Sequence, residues 1–191
     1  MKTIEKRVRT VKVWTKQHKG ILDIFKDNGR YIVKKEYIES KMEEHASLYT
    51  EVYAWYAHKA ASIVPKPEDV RYPIWVSMDE SEIIGGAGDS VLLELDVPEN
   101  ELIVLDIDKW GLIVNYMYIP KDEHDKTEHE KTLAVYRIDD TAAYMSSFYP
   151  SLKNKIRKSW DRLFDDSIAM SPVKVGTVWE IKREWISKIT E

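Results

Sequence analysis

The chain has 191 residues, enough to bury a sizeable core, and its 33 acidic against 29 basic residues give a net charge of −4, which argues against nucleic acid as the partner. It contains no cysteine, which excludes disulfides, iron–sulfur clusters, thiolate zinc and cysteine nucleophiles. The opening MKTIEKRVRTVKVW lacks the apolar centre of a leader peptide, and no apolar run reaches the ~18 residues of a membrane span. The expectation is a cytoplasmic protein with no membrane partner.

Basic residues gather before Lys19, where Glu5 is the lone acid. That asymmetry suits an anionic ligand such as a phosphate or a nucleic acid, and equally suits a solvated strand and helix. Arg7 to Gln17 alternates, with Val11 and Val13 set against Lys12 and Trp14, and predicts a strand. His18 to Asn28 carries Ile21, Leu22, Ile24 and Phe25 at helical spacing, and Gly29 follows where a left-handed cap belongs. A short extended piece is expected at Tyr31 to Val33. Glu36 to Ile63 is the longest predicted helix, stopped by Pro65 and Pro67.

YPIWVSM, Tyr72 to Met78, predicts a short strand beginning after Pro73. Asp79 to Ser90 reads as a glycine-bearing loop; its GGAG lacks both the GxGxxG spacing and a GK[ST] ending, so it is not a phosphate cradle. Val91, Leu93, Leu95 and Val97 alternate with Leu92, Glu94 and Asp96, the period-two pattern of a half-buried strand. Pro98-Glu99-Asn100 is a turn, and Leu102 to Ile107 a second, well-buried strand. Asp108 then fits an N-cap, with Trp110, Ile113, Val114, Met117 and Tyr118 on one helical face as far as Pro120. The rival reading makes Leu112 to Ile119 a third strand.

Lys121 to Lys131, KDEHDKTEHEK, is almost wholly charged and reads as an exposed, mobile loop; His124, Glu128 and His129 lack HExxH order, so no metal site is expected. Leu133 to Ile138 predicts a strand and Thr141 to Tyr149 a short helix. Ser151 to Asp165 predicts an amphipathic helix with Leu152, Ile156, Trp160, Leu163 and Phe164 inward. Lys174 to Ile181 is a late strand, and Trp185 to Ile189 either continues as strand or closes as a helix. The sum is one α+β domain, residues 1–191, with a mixed or antiparallel central sheet and flanking helices. Trp110 and Trp160 are expected in its core.

Several pieces in order resemble a bacterial and phage family known as domain of unknown function 3841. They are YPIW at Tyr72 to Trp75, the LLELDVPENELIVLD run leading to DKW at Trp110, and Val114-Asn115 with Tyr118-Ile119-Pro120. SWDRLFD at Ser159 to Asp165 and WEIKREWI at Trp179 to Ile186 complete the series. That resemblance implies no activity.

The plan of elements is also similar to the ADP-ribosyltransferase superfamily: an early strand, a helix ending in glycine, a strand with a small hydroxyl residue, core strands, and a late strand with one acid. This second resemblance implies NAD or a related nucleotide as ligand and Glu180 as the catalytic carboxylate. It further implies Ser77 at the hydroxyl position, Trp75 as a wall for the nicotinamide ring, and Lys12 and Trp14 as nucleotide contacts on the first strand. The superfamily's first-strand Arg or His is absent, so that Lys12, Lys16 or His18 must substitute. Cleavage of the glycosidic bond of NAD develops positive charge that a fixed carboxylate stabilises. The bland alternative for Glu180 is a strand residue facing solvent or pairing with Lys182 or Lys12; Asp96, Asp106 and Asp108 are explained by capping and turns. Two functions follow. One is an ADP-ribosyltransferase-like protein, active or degenerate. The other is a non-enzymatic protein that binds a protein target, such as an inhibitor of bacterial or phage origin.

Overall fold

The computed structural model describes residues 9–33, 46–83 and 88–190. The chain divides into two compact units: Leu105–Lys174, and the chain on either side of that segment.

The outer segments build a six-stranded sheet. β1 (Thr10–His18) runs antiparallel to β4 (Ser90–Pro98) from Thr10 opposite Pro98 to His18 opposite Ser90. β3 (Ile74–Ser77) pairs antiparallel with the other edge of β1, and β6 (Lys174–Val178) pairs antiparallel with β3. β8 (Ile186–Thr190) lies antiparallel to β4. With β5 (Ile103–Asp106) the order is β5-β6-β3-β1-β4-β8. The three strands read from Val91–Val97, Leu102–Ile107 and Lys174–Ile181, here β4, β5 and β6, all lie in this sheet.

The alternation in β4 sets the core. Val91, Leu93, Leu95 and Val97 are each 0% exposed, while Leu92, Glu94 and Asp96 point the other way. They join Val13, Ile74, Val76 and Val178 with Ile21 and Phe25 of α1 (Ile21–Asn28), each side chain stabilising by about 1.5–3 kcal/mol. Gly29 ends α1 at φ 68, as its position predicted. The short extended piece expected at Tyr31 to Val33 begins one residue earlier, as β2 (Arg30–Tyr31).

The late strand is shorter than expected. It stops at Val178, where the Trp179 indole turns to donate to the Val64 carbonyl at 2.9 Å. Ile181–Lys182 then forms β7, which pairs with β2 in a separate two-stranded ladder. A 3-10 turn, Arg183–Trp185, leads into β8, so of the two conformations expected for Trp185 to Ile189 the strand is the one adopted from Ile186 onward. The long helix appears as α2 (Ala46–Ala60); the expected stretch 36–45 lies outside the described residues. Within the expected loop Asp79 to Ser90, residues 80–82 form a 3-10 turn capped by the Asp79 carboxylate, and residues 84–87 lie outside those described.

The inner segment is helical: α3 (Ile107–Val114), α4 (Glu123–Tyr136), α5 (Asp140–Met145) and α6 (Pro150–Ser159). The predicted N-cap is displaced. Asp106, not Asp108, caps α3 by accepting the Asp108 and Lys109 amides, because its own backbone is still extended. α3 ends at Val114, and Tyr116 at φ 59 reverses the chain, so Met117 and Tyr118 leave the helix and no strand forms over Leu112 to Ile119. The charged segment expected as a loop is instead the body of α4, started by the Asp122 side chain accepting the Asp125 amide. α4 runs through most of the strand expected at Leu133 to Ile138 and closes at Arg137, φ 53.

The helix expected over Ser151 to Asp165 is α6 followed by a 3-10 turn, Trp160–Phe164. Leu152, Ile156, Trp160 and Leu163 point inward as predicted, whereas Phe164, also expected inward, is only half-buried in the 3-10 turn; Trp110 is buried at 8% exposure. Among the described residues no helix is long and apolar enough to cross a membrane.

Candidate functional site

Strand alternation brings four of the five sequence-predicted residues onto one sheet face. Trp14 stands opposite Ser77, and Trp75 opposite Thr177, so those four share the face turned away from Val13, Ile74 and Val76. Lys12 lies two residues before Trp14 on the same side. β1, β3 and β6 are direct neighbours, which is why residues from the early, middle and late chain meet there.

This face is partly roofed by α2. The Tyr56 ring lies 5.8 Å from that of Trp75, and its hydroxyl bonds the Thr177 hydroxyl. Burial raises the Tyr56 phenol far above its ordinary value, so it acts as a neutral hydroxyl. Ser77 is 1% exposed, and its Oγ donates to the Glu82 carbonyl at 2.9 Å. The Trp14 indole N–H is buried and has no acceptor among the described residues. Lys12 is exposed and pairs with Glu94, with Asp96 at 3.9 Å. That hydrogen bond to Glu94 raises the Lys12 ammonium and lowers the Glu94 carboxyl.

Glu180 belongs to a second cluster. It sits in the bend between β6 and β7 and is 7% exposed, between the buried Trp179 and Ile181. Its Oε2 accepts from Arg30 Nη1 at 2.7 Å, and Lys182 Nζ stands 3.5 Å from Oε1. Each cation has a further acid: Asp69 for Arg30 and Glu101 for Lys182. Arg30 and Lys182 are opposite one another on β2 and β7, so the short ladder itself holds the two cations at the carboxylate. Nothing local in the sequence marks the Arg30–Glu180 pair, whose members are 150 positions apart. Of the two partners foreseen among the alternatives, Lys182 is present as the more distant cation, and Lys12 pairs with Glu94 instead.

The helical unit contains a buried polar cluster that the sequence did not single out as a unit. His129, read as part of a charged loop, is 3% exposed and stacks on Tyr118 with ring centroids 4.0 Å apart. Its Nε2 is 2.6 Å from Asp140 Oδ1, and Asp140 Oδ2 accepts the Tyr118 amide at 3.0 Å. The Tyr118 hydroxyl donates to Asp125, which also accepts from Arg162 Nη1 at 2.7 Å. His129 Nδ1 is buried without a partner among the described residues. His129 and Asp140 lie eleven positions apart on successive helices, a spacing that only the turn after Tyr136 converts into contact.

Asp106 anchors the same unit. Its Oδ2 accepts from the Met170 and Ser171 amides and from Lys174 Nζ at 3.0, 2.9 and 3.0 Å. Burial opposes its ionisation, but those donors and the Lys109 amide outweigh burial and bring the carboxyl down to about 2. Lys109 is 1% exposed, and its Nζ donates to the Arg162 and Asp165 carbonyls at 2.9 and 2.7 Å. Burial lowers its ammonium below the ordinary value. These groups cap and tie elements. Among the described residues no three His, Asp or Glu side chains gather as metal ligands would.

No curated protein and no solved structure matches the chain. A family's sequence model does, over residues 12–187, and by that match the chain belongs to DUF3841, a domain of unknown function.

Proposed function

We propose that the chain acts by binding rather than by catalysis: an ADP-ribosyltransferase-like plan, degenerate in its chemistry, that works as an interaction protein. The observation that carries this reading is the state of Glu180. A carboxylate that stabilises an oxocarbenium-like centre must reach it and must not already be neutralised. Glu180 is 7% exposed, with Arg30 at 2.7 Å and Lys182 at 3.5 Å. The hydroxyl of Ser77 is likewise engaged, by the Glu82 carbonyl.

A second reading, an active enzyme using NAD or a related nucleotide, is favoured by one observation. β1, β3 and β6 lie side by side, as an early strand, a hydroxyl-bearing strand and a late strand would in that plan, and Trp14, Ser77 and Trp75 share a face. Calorimetry with NAD and a nicotinamide-release assay separate the two. Under the binding reading, wild type and Glu180→Gln both release no nicotinamide, and Glu180→Gln lowers stability by about 1–2 kcal/mol. That figure lies below the cost of breaking a fully buried pair, because Arg30 is 39% exposed and keeps Asp69. Release of nicotinamide by wild type, lost in Glu180→Gln with folding intact, would establish the enzyme instead.

A further inference from the structure

β8 is the last strand of the sheet in space, and its pairing partner among the described residues is β4 alone. Among the described residues no strand pairs with the N–H and C=O groups of its outer edge, which is the kind of edge that accepts another extended chain. A groove of about 380 Å³ runs along this strand, between it and α1. Leu22 and Phe25 of α1 and Ile186 and Ile189 of β8 supply apolar lining, with Ile189 45% exposed.

The register explains the lining. Ile186 and Ile189 stand opposite Leu95 and Leu93, whose side chains face the core, so both isoleucines lie on the α1 side of the sheet. The polar lining is cationic: Lys26 and Arg183. Lys26 has Asp23 one turn away on α1, an exposed pair that water screens. Arg183 is exposed and has no acidic partner among the described residues.

We propose that this edge and groove capture an extended, acidic segment of a partner protein by strand addition. The two features select the same occupant. An open edge accepts a chain with a free backbone ladder, and the groove accepts alternate apolar side chains of that chain. Arg183 meets a carboxylate on it. A helix would leave the edge bonds unmade, and a basic segment would meet Arg183 and Lys26 with like charge. The inference rests on the reading that the chain acts by binding, and nicotinamide release tests that reading independently.

The probe is a fluorescein-labelled octapeptide of alternating valine and glutamate, titrated with the full chain and read by anisotropy. Saturable binding is expected, at least tenfold tighter than for the valine–lysine counterpart. N-methylation of alternate amides, which removes the ladder donors, should abolish it. Ile189→Glu should weaken binding at least tenfold, and Arg183→Glu should reverse the preference between the two peptides; circular dichroism melts establish that both variants are folded. Sedimentation in the same buffer should show no self-association. Four results would each overturn the proposal: no saturable binding, equal binding of both peptides, binding that survives N-methylation, or self-association through β8 in place of peptide binding.

Discussion

Gly176 offers a sharp test of how tightly the strands around the candidate site are packed. It lies on β6 opposite Val76 of β3, and an added Cβ would stand 2.7 Å from Val76 Cγ2, 2.8 Å from Leu102 Cδ1 and 3.2 Å from Met78 Sδ. Ordinary carbon–carbon contacts lie near 3.5–4.0 Å, so at least two neighbours must shift by most of an ångström. The Leu102 methyl ends a flexible chain and can swing aside. Val76 cannot do so readily, because it is β-branched and 1% exposed. Overpacking of this kind costs ~1–3 kcal/mol, against which Ala recovers about 0.5–1 kcal/mol of strand propensity over Gly. Gly176→Ala is therefore expected to destabilise by about 1–2 kcal/mol. At a urea slope of about 2 kcal/mol/M the midpoint falls by about 0.5–1 M with the slope unchanged. Val76→Ala in the same background should recover part of the loss, giving a coupling of ~0.5 kcal/mol or more. A Gly176→Ala midpoint at or above wild type would show that β3 and β6 are not in close approach and that the reasoning is wrong.

Trp160→Ala should cost about 3–5 kcal/mol in urea unfolding, since the indole is 0% exposed, stacks on Tyr144 and donates to the Met117 carbonyl at 2.9 Å; a wild-type midpoint would contradict that packing. Asp106 makes stability depend on acid. Its folded pKa of about 2 lies below the ordinary 3.8, so its contribution is complete above about pH 4 and is lost as pH falls through 2. Asp106→Asn should therefore remove about 2 kcal/mol at pH 7 and flatten the unfolding free energy between pH 4 and 2, and an acid limb as steep as wild type would refute the assignment. His129→Ala should cost about 2–3 kcal/mol by stranding Asp140 and removing the ring stacked on Tyr118. In a cycle with Asp140→Asn the double loss should fall short of the sum of the singles; simple additivity would show that the pair does not act together.

The parts of the fold legible in the sequence are those whose burial follows a backbone period. β4 is the clearest case: one apolar residue in two, all on the face that meets α1. α6 is another, since Leu152, Ile156, Trp160 and Leu163 recur as a helix requires. α4 was illegible for the complementary reason. His129 is its only buried residue, and the helix docks through hydrogen bonds and ion pairs that leave no apolar stripe to read. The cap of α3 was misplaced by two residues because Asp106 and Asp108 are both chemically fit for it, and the choice rests on backbone direction at Asp106. The shared face of Trp14, Ser77 and Trp75 was half legible. Alternation gives which residues point together within a strand, whereas the adjacency of β1, β3 and β6 is a tertiary fact. The environment of Glu180 was legible only in its local part: Lys182, two residues on, was a foreseeable partner, whereas Arg30 reaches the carboxylate only through the β2–β7 ladder.

The position of β6 has a consequence for synthesis of the protein. Between β5 and β6 the ribosome must add residues 107–173, which at ~5–20 residues per second occupies about 3–13 seconds. During that interval β1, β3 and β4 can already pair, yet the edge of β3 that will receive β6 and the edge of β4 that will receive β8 both stay open. Open apolar edges on a nascent chain invite pairing with the wrong neighbour. The yield of folded protein should therefore respond to translation speed and chaperone supply more strongly than its melting temperature responds to mutation on the outer helices.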